Sequence, residues 1–231
     1  MSTAAVESRL QQTYRFYQAT IGKKVVMAVT GLILGGFVIA HLAGNLQIFM
    51  GPEALDEYAL FLKERPAVLW MARAVLLVAV AAHIVAAVQL TRLKNRARPQ
   101  GYRRKQNITS SYASRTMMWS GPIVAAFVVY HLLHFTFGVA HPTYPDFEPH
   151  HVYRNVVAGF QQPVVAGAYI AAMIMLGLHL YHGLWSMFQT LGINHPGYNL
   201  GLRRFAAVTT IIIVAGNISI PLAVLLGFVR L

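Results

Sequence analysis

Ten histidines and no cysteine leave imidazole as the one soft ligand this chain carries in quantity. Six of the ten fall inside apolar runs: His41, His83, His131, His134, His179 and His182. The stretch LGLHLYHGLWSMFQTLG (176–192) holds His179 and His182 three apart, and His131 and His134 repeat that spacing. An imidazole in hydrocarbon is costly, so each such residue marks a candidate site with a partner to be found. Imidazole suits iron. The absence of cysteine excludes disulfides, thiolate zinc sites and protein-ligated iron–sulfur clusters within this chain. His141, His150, His151 and His195 lie in polar connections and read as solvated surface residues.

The elements that must position these histidines follow from composition. With 56% hydrophobic and 11% charged residues and a mean hydropathy of +0.51, 231 residues are too apolar for an ordinary soluble domain. The expected fold class is all-α, a single integral membrane domain over 1–231. Apolar windows long enough to cross a bilayer lie at about 25–49, 67–91, 116–139, 163–188 and 205–229. A long polar segment precedes the first of them, so no signal peptide is expected. Arg9, Arg15, Lys23 and Lys24, the eight cations of 92–115, and Arg203 and Arg204 make 14 on one set of connections, against Lys63, Arg65, Arg154 and Arg230 on the other. The positive-inside rule then places the N-terminus in the cytoplasm and the C-terminus outside. Six of the seven acidic residues sort to the outer connections, so the net charge of +12 gathers on the inner face, where it suits anionic lipid or a docked protein. No folded soluble domain remains to present a groove to nucleic acid.

The depth of each histidine follows from the ~1.5 Å rise per residue of a helix. His41 lies 17 residues beyond Lys24 and His131 lies 16 beyond Arg115, roughly 24–26 Å from the inner edge. His83 is 9 residues before Arg92 and His179 is 10 before Gln189, roughly 14–15 Å from that edge. The result is two pairs at two depths, drawn from four segments, which suits bis-histidine ligation of two b-type haems stacked across the membrane. Mononuclear zinc would want three or four ligands at one depth, and the apolar segments hold no Asp or Glu to join them. Gly31, Gly35, Gly36 and Gly44 in the first segment and Ala79, Ala82, Ala86 and Ala87 in the second leave room for a flat ligand, or equally for close helix packing.

IGKKVVMAVTG (21–31), HLAGNLQIFMG (41–51), ARPQGY (97–102), SRTMMWSG (114–121) and HLYHGLWSMFQTLG (179–192) together span nearly the whole chain. In these stretches the sequence resembles the cytochrome b558 type of membrane anchor found in succinate:quinone oxidoreductases and fumarate reductases. The resemblance implies a five-helix subunit that holds two haems b in the bacterial inner membrane. It would anchor a flavoprotein and an iron–sulfur subunit on the cytoplasmic face as part of complex II and pass electrons to quinone, for which menaquinone is expected; a higher oligomer of the complex is left open. The family's fourth-helix ligand precedes a Gly-Leu-aromatic step by four residues, with a second glycine nine further on. Gly183-Leu184-Trp185 and Gly192 fit that spacing. The resemblance therefore implies His179 as ligand and leaves His182 to hydrogen-bond a propionate, a carbonyl or water. It likewise implies His131 as ligand and His134 as the extra residue, although depth tolerates either.

By the same resemblance the inner haem, on His83 and His179, sits nearest the partner's iron–sulfur cluster, and the outer haem uses His41 and His131. Arg73, at outer depth, either pairs with a propionate or snorkels to the interface. Quinone needs donors near an interface, for which Lys23, Ser114, Arg115 and Trp119 stand at the inner mouth. Family members that work on the outer side use an acidic residue, for which Glu53, Asp56, Glu57 and Glu64 are available. Two other classes stay open: a cytochrome b of another quinol-linked dehydrogenase, and a haem-free transporter or scaffold.

Overall fold

A computed structural model of the chain describes residues 11, 12, 14–97, 100 and 110–231. Arg9, Arg98, Arg103, Arg104, Lys105 and most of the ARPQGY stretch lie outside the described residues. Helices order most of the rest. Helix α1 (Thr20–Asn45) runs on through a 3-10 turn (Leu46–Met50), and α2 (Pro52–Lys63) and α3 (Pro66–Ala97) follow. Helix α4 (Tyr112–His131) continues into a π turn (Leu132–Thr136), and α5 (Val152–Phe160), α6 (Pro163–Thr190) and α7 (Pro196–Leu225) complete the chain. No β-strand occurs among the described residues. Five of the helices, α1, α3, α4 with its π turn, α6 and α7, are long and apolar enough to cross a membrane. The shortest of these, at 25 residues, spans ~37 Å against a hydrocarbon core of ~30 Å.

Helix starts and stops follow local chemistry. Proline stands at the first turn of α2, α3, α6 and α7, where its missing N–H has no intrahelical partner to lose. Ser111 caps α4 by accepting from the Ser114 amide at 3.1 Å. Helix α6 stops at Gly192, whose φ of +80° suits a residue without Cβ. There the Ile193 amide reaches back to the Phe188 carbonyl at 2.8 Å. Helix α7 ends the same way at Gly227 (φ +76°), with Phe228 N–H bonding Ala223 O at 2.9 Å. Hydropathy alone sets the fifth segment at 205–229, whereas these signals set it at Pro196–Leu225. Arg203 and Arg204 therefore lie within α7, and the Arg203 guanidinium lies 4.6 Å from the centre of the Trp185 ring on α6.

The long helices alternate in direction, so their ends gather into two groups. At the basic end Tyr17 donates to Gln89 at 2.9 Å, and Thr91 approaches Met118 of α4. At the opposite end α2 and α5 lie over the bundle as a cap. Asp56 of α2 accepts from the Tyr153 amide in the first turn of α5 at 2.8 Å, a carboxylate placed on an orphan helix donor. Tyr153 in turn donates to the Arg230 carbonyl at 3.0 Å, and Lys63 donates to the Pro149 carbonyl. The packed apolar core lies here, built from Ile48, Leu55, Val157, Phe160, Tyr169, Ile220 and Val224 among others. Neither short helix follows from hydropathy, because both are amphipathic and sit in what read as connections.

Packing within the bundle is uneven. Helix α1 packs on α3, α6 and α7, and α4 on α6, while α3 and α4 touch only sparsely. Ala79 and Ala86, seven apart on α3, are buried and thus serve helix packing. Gly44 does the same against Tyr58 of α2. The closest seam is between α6 and α7, where a Cβ added at Gly177 would stand 2.8 Å from Val214 Cγ2. Gly177→Ala is expected to lower the melting temperature of the purified chain in detergent, since overpacking a tight contact costs roughly 1–3 kcal/mol. Adding Val214→Ala should recover most of the loss. A Gly177→Ala protein that melts like the parent would mean that α6 and α7 are not this close.

Candidate functional site

The four-helix part of the bundle sets α1 diagonally across from α4, and α3 diagonally across from α6. Each diagonal carries one histidine pair. His41 of α1 faces His131 of α4 with ring centroids 5.8 Å apart and planes at 87°. His83 of α3 faces His179 of α6 with centroids 6.2 Å apart and planes at 56°. Thr30 of α1 contacts His83 and is 11 residues from His41, while the Cβ position of Gly121 on α4 lies 4.0 Å from His179 and is ten residues from His131. Both counts separate the two pairs by roughly 15–17 Å along the helix axes. The pairs are thus stacked, one toward the basic end and one toward the cap.

At His83 the tautomer can be worked out. Its Nδ1 lies 3.0 Å from Thr30 Oγ1. That hydroxyl has one proton, and the Val26 carbonyl at 2.7 Å takes it, so toward His83 the oxygen accepts. His83 Nδ1 therefore carries hydrogen and Nε2 keeps its lone pair for the bundle interior. On the other side of the pair, His179 Nδ1 is buried with no hydrogen-bond partner among the described residues. A Cβ built at Gly31 would meet the His83 ring at 3.5 Å, and one built at Gly35 or Gly36 would meet nothing within 4 Å.

The pair nearer the cap sits among rings. His131 has Phe127 and Phe135 at 5.9 Å and Tyr169 at 6.0 Å between centroids, and His41 stacks on Phe37 at 5.3 Å. His134 turns away from this interior. It is fully buried, stacks on Tyr130 at 5.5 Å and His141 at 5.0 Å, and packs on Gly159 of α5, where a Cβ would come within 3.0 Å of its ring. The π turn over Leu132–Thr136 accounts for the divergence. An extra residue per turn swings the side chain three positions on away from the face that His131 occupies. His182 lies on α6 one turn from His179 and is half-buried.

A metal held between two imidazoles sets their ring centroids about 6 Å apart, from metal–nitrogen bonds of about 2.0–2.1 Å and roughly 1.1 Å from nitrogen to ring centre. Rings that share a metal axis can take any interplanar angle. The donor set fits such a unit at both levels, since each pair consists of neutral nitrogen donors and lacks carboxylates. Among the described residues no group of three or more His, Asp or Glu side chains converges on one point. What the interior offers is pairs.

The other candidates are more scattered. Lys23 is buried, and its ammonium donates to the carbonyls of Tyr17 at 2.9 Å and Gln18 at 2.7 Å, closing the turn ahead of α1. Ser114 bonds back to Ser111 and Arg115 to the Ser110 carbonyl, while Trp119 is 74% exposed on the outer surface of α4. These four do not converge on a common point. Arg73 is exposed and lays its guanidinium over Trp70 at 4.9 Å, the posture of a snorkelling side chain. Of the four acidic candidates Asp56 is engaged with α5. It also borders a shallow groove of about 220 Å³ with Glu57, Lys63, His150 and His151.

Three residues that bear on the site were not singled out from sequence. Thr30 and Tyr169 were legible only as polar groups in apolar helices. His141, read as a surface residue, is instead buried at 4% exposure and ties the cap together. The Thr143 amide donates to its Nδ1 at 3.2 Å, so its Nε2–H donates to the Asn155 carbonyl at 2.8 Å. Burial holds its pKa below the ordinary histidine value, against the bond to Asn155, which favours the charged form. The unfolded chain takes up this proton near pH ~6.5 and the folded chain only at lower pH. The stability contributed by neutral His141 is thus full above pH ~6.5 and is lost as pH falls through the folded value. Amide exchange at Thr143 and across α5, corrected for its intrinsic pH dependence, should accelerate between pH 7.5 and 5, and His141→Gln should flatten that change. A parent protein with pH-independent protection there would assign the cap's stability to other groups.

Comparison of the chain with protein-family models, with curated proteins and with solved structures finds no match in any of the three.

Proposed function

We propose that this chain is the di-haem membrane anchor of a succinate:quinone oxidoreductase, carrying electrons between an iron–sulfur partner at its basic end and a quinone in the bilayer. The observation that carries this reading is the pair of stacked, diagonal histidine couples, each with the centroid spacing of a bis-imidazole metal unit. When bound, the two haems supply one-electron transfer across the membrane. His83 and His179 would hold one and His41 and His131 the other. The chain's own part is to orient those rings, keep the interior apolar, and fix the Nδ1–H tautomer of His83 through Thr30. The positive-inside rule puts the basic end in the cytoplasm. There the cations of α1, α3, α4 and α7 would face a soluble partner that brings the flavin and iron–sulfur chemistry that a chain without cysteine lacks.

The test is an absorption spectrum of the purified chain with a haem count. Two haems b per chain are expected in dithionite-reduced minus oxidised difference spectra. His83→Ala or His179→Ala should remove one, and His41→Ala or His131→Ala the other, each leaving about half the signal. His182→Ala should keep both. A wild-type chain without a b-type band would sink the reading, and loss of a haem in His182→Ala with retention in His179→Ala would move the ligand on α6. Copurification of a flavoprotein with succinate dehydrogenase activity separates this anchor from other quinol-linked cytochromes b.

Docking at the basic end makes a second demand. Combined reversal of Arg103, Arg104 and Lys105 to Glu should release dehydrogenase activity from the membrane with both haems retained. Single reversals are expected to do little, because exposed pairs contribute about 0–1 kcal/mol each. Full retention of membrane-bound activity in the triple variant, with topology unchanged, would confine docking to the helix ends.

A further inference from the structure

His134 is the residue for which the proposed electron path has no use. It is fully buried in the apolar span of α4 and its continuation. It faces away from His41, and its Nε2 has no hydrogen-bond partner among the described residues. Its Nδ1 is 2.9 Å from the Tyr169 hydroxyl. The same hydroxyl lies 3.4 Å from Nδ1 of His131. One phenolic oxygen of α6 therefore bridges two imidazoles of α4, and it has a single proton to share between them.

Two arrangements satisfy that bridge, and they differ in what they leave to His131. If the hydroxyl donates to His131 Nδ1, then His131 carries its hydrogen on Nε2 and presents no lone pair to His41. If the hydroxyl donates to His134 Nδ1, its oxygen accepts from His131 Nδ1–H, and His131 Nε2 is free to ligate. The shorter distance lies on the His134 side, where a neutral acceptor is held by stacking between Tyr130 and His141. Thr30 does the same for His83 by a simpler route, its proton being drawn off by the Val26 carbonyl. In both cases a hydroxyl whose proton is committed elsewhere turns its oxygen to a ligand's Nδ1–H.

We infer that Tyr169 is the positioning residue of the His41–His131 pair, and that His134 holds the Tyr169 proton so that this oxygen accepts from His131. The inference rests on the di-haem reading and goes beyond it by assigning a role to the second histidine of α4. An acceptor on Nδ1–H raises the basicity of a ligating imidazole and favours the oxidised metal. Removing that acceptor should raise the midpoint potential of one haem and leave the other in place.

The experiment is a potentiometric titration of the haem-loaded chain in its assembled complex, read optically and by the electron paramagnetic resonance of each ferric haem. Tyr169→Phe deletes one oxygen and keeps the ring that packs on Phe127 and Phe160. It should retain two haems, with an upward shift confined to the haem that His131→Ala removes. His134→Phe should give the same shift, while His134→Gln, which keeps an acceptor for the phenol, should titrate close to the parent. Absence of haem from the wild-type chain would fail the parent reading before this one is reached. With two haems present, unchanged potentials and resonance in both Tyr169→Phe and His134→Phe would overturn the inference. So would loss of a whole haem in His134→Gln with both retained in His131→Ala, because His134 would then be the ligand itself.

Discussion

An imidazole kept in hydrocarbon has two nitrogens to satisfy and no water to satisfy them, and much of this bundle is arranged around that constraint. The backbone answers the same demand by closing its hydrogen bonds within each helix, which is why every crossing segment is helical. Side chains have to find partners on other helices. His83 takes Thr30, and His131 and His134 share Tyr169. At His83 the bond fixes which nitrogen holds the hydrogen, so satisfying the polar group also sets the direction of the remaining lone pair. Where ligation is proposed, that direction is the functional quantity.

The diagonal arrangement follows from alternating helices around one interior. Adjacent helices meet through small residues such as Ala79, Ala86 and Gly177, while facing helices meet only through the rings they extend. That leaves the middle of the bundle to long-reaching imidazoles. The buried apolar cluster lies at the cap, where two amphipathic helices and the ends of α6 and α7 bury one another.

The five crossings and the pairing of His41 with His131 and of His83 with His179 were legible because hydropathy and rise per residue are one-dimensional quantities. Depth along a helix can be counted; direction around it cannot once the winding changes. Which of His131 and His134 turns toward His41 depends on the π turn over Leu132–Thr136, which no residue in LLHFT announces. Helix α7 began nine residues ahead of its apolar window because Pro196, not hydropathy, starts it. Helices α2 and α5 were missed because a short amphipathic helix against a cap reads as a polar loop. His141 was misread for the same reason: burial by a neighbouring loop leaves no periodic trace. The inner-mouth candidates were grouped by sequence position, and Lys23 proved to be engaged by Tyr17 and Gln18.

A bundle with its largest apolar core at one end and sparse contact between α3 and α4 is braced unequally around its interior. The cap is pinned by the bond between Asp56 and Tyr153. His41 and His131 sit close to it, and His131 is braced by Phe127, Phe135 and Tyr169. His83 and His179 lie ~15 Å further out, where α6 is locked on α7 by the close approach of Gly177 to Val214. Helix α3 leans mainly on α1, and α4 mainly on α6. The side between α3 and α4 is therefore the weakest wall of the bundle.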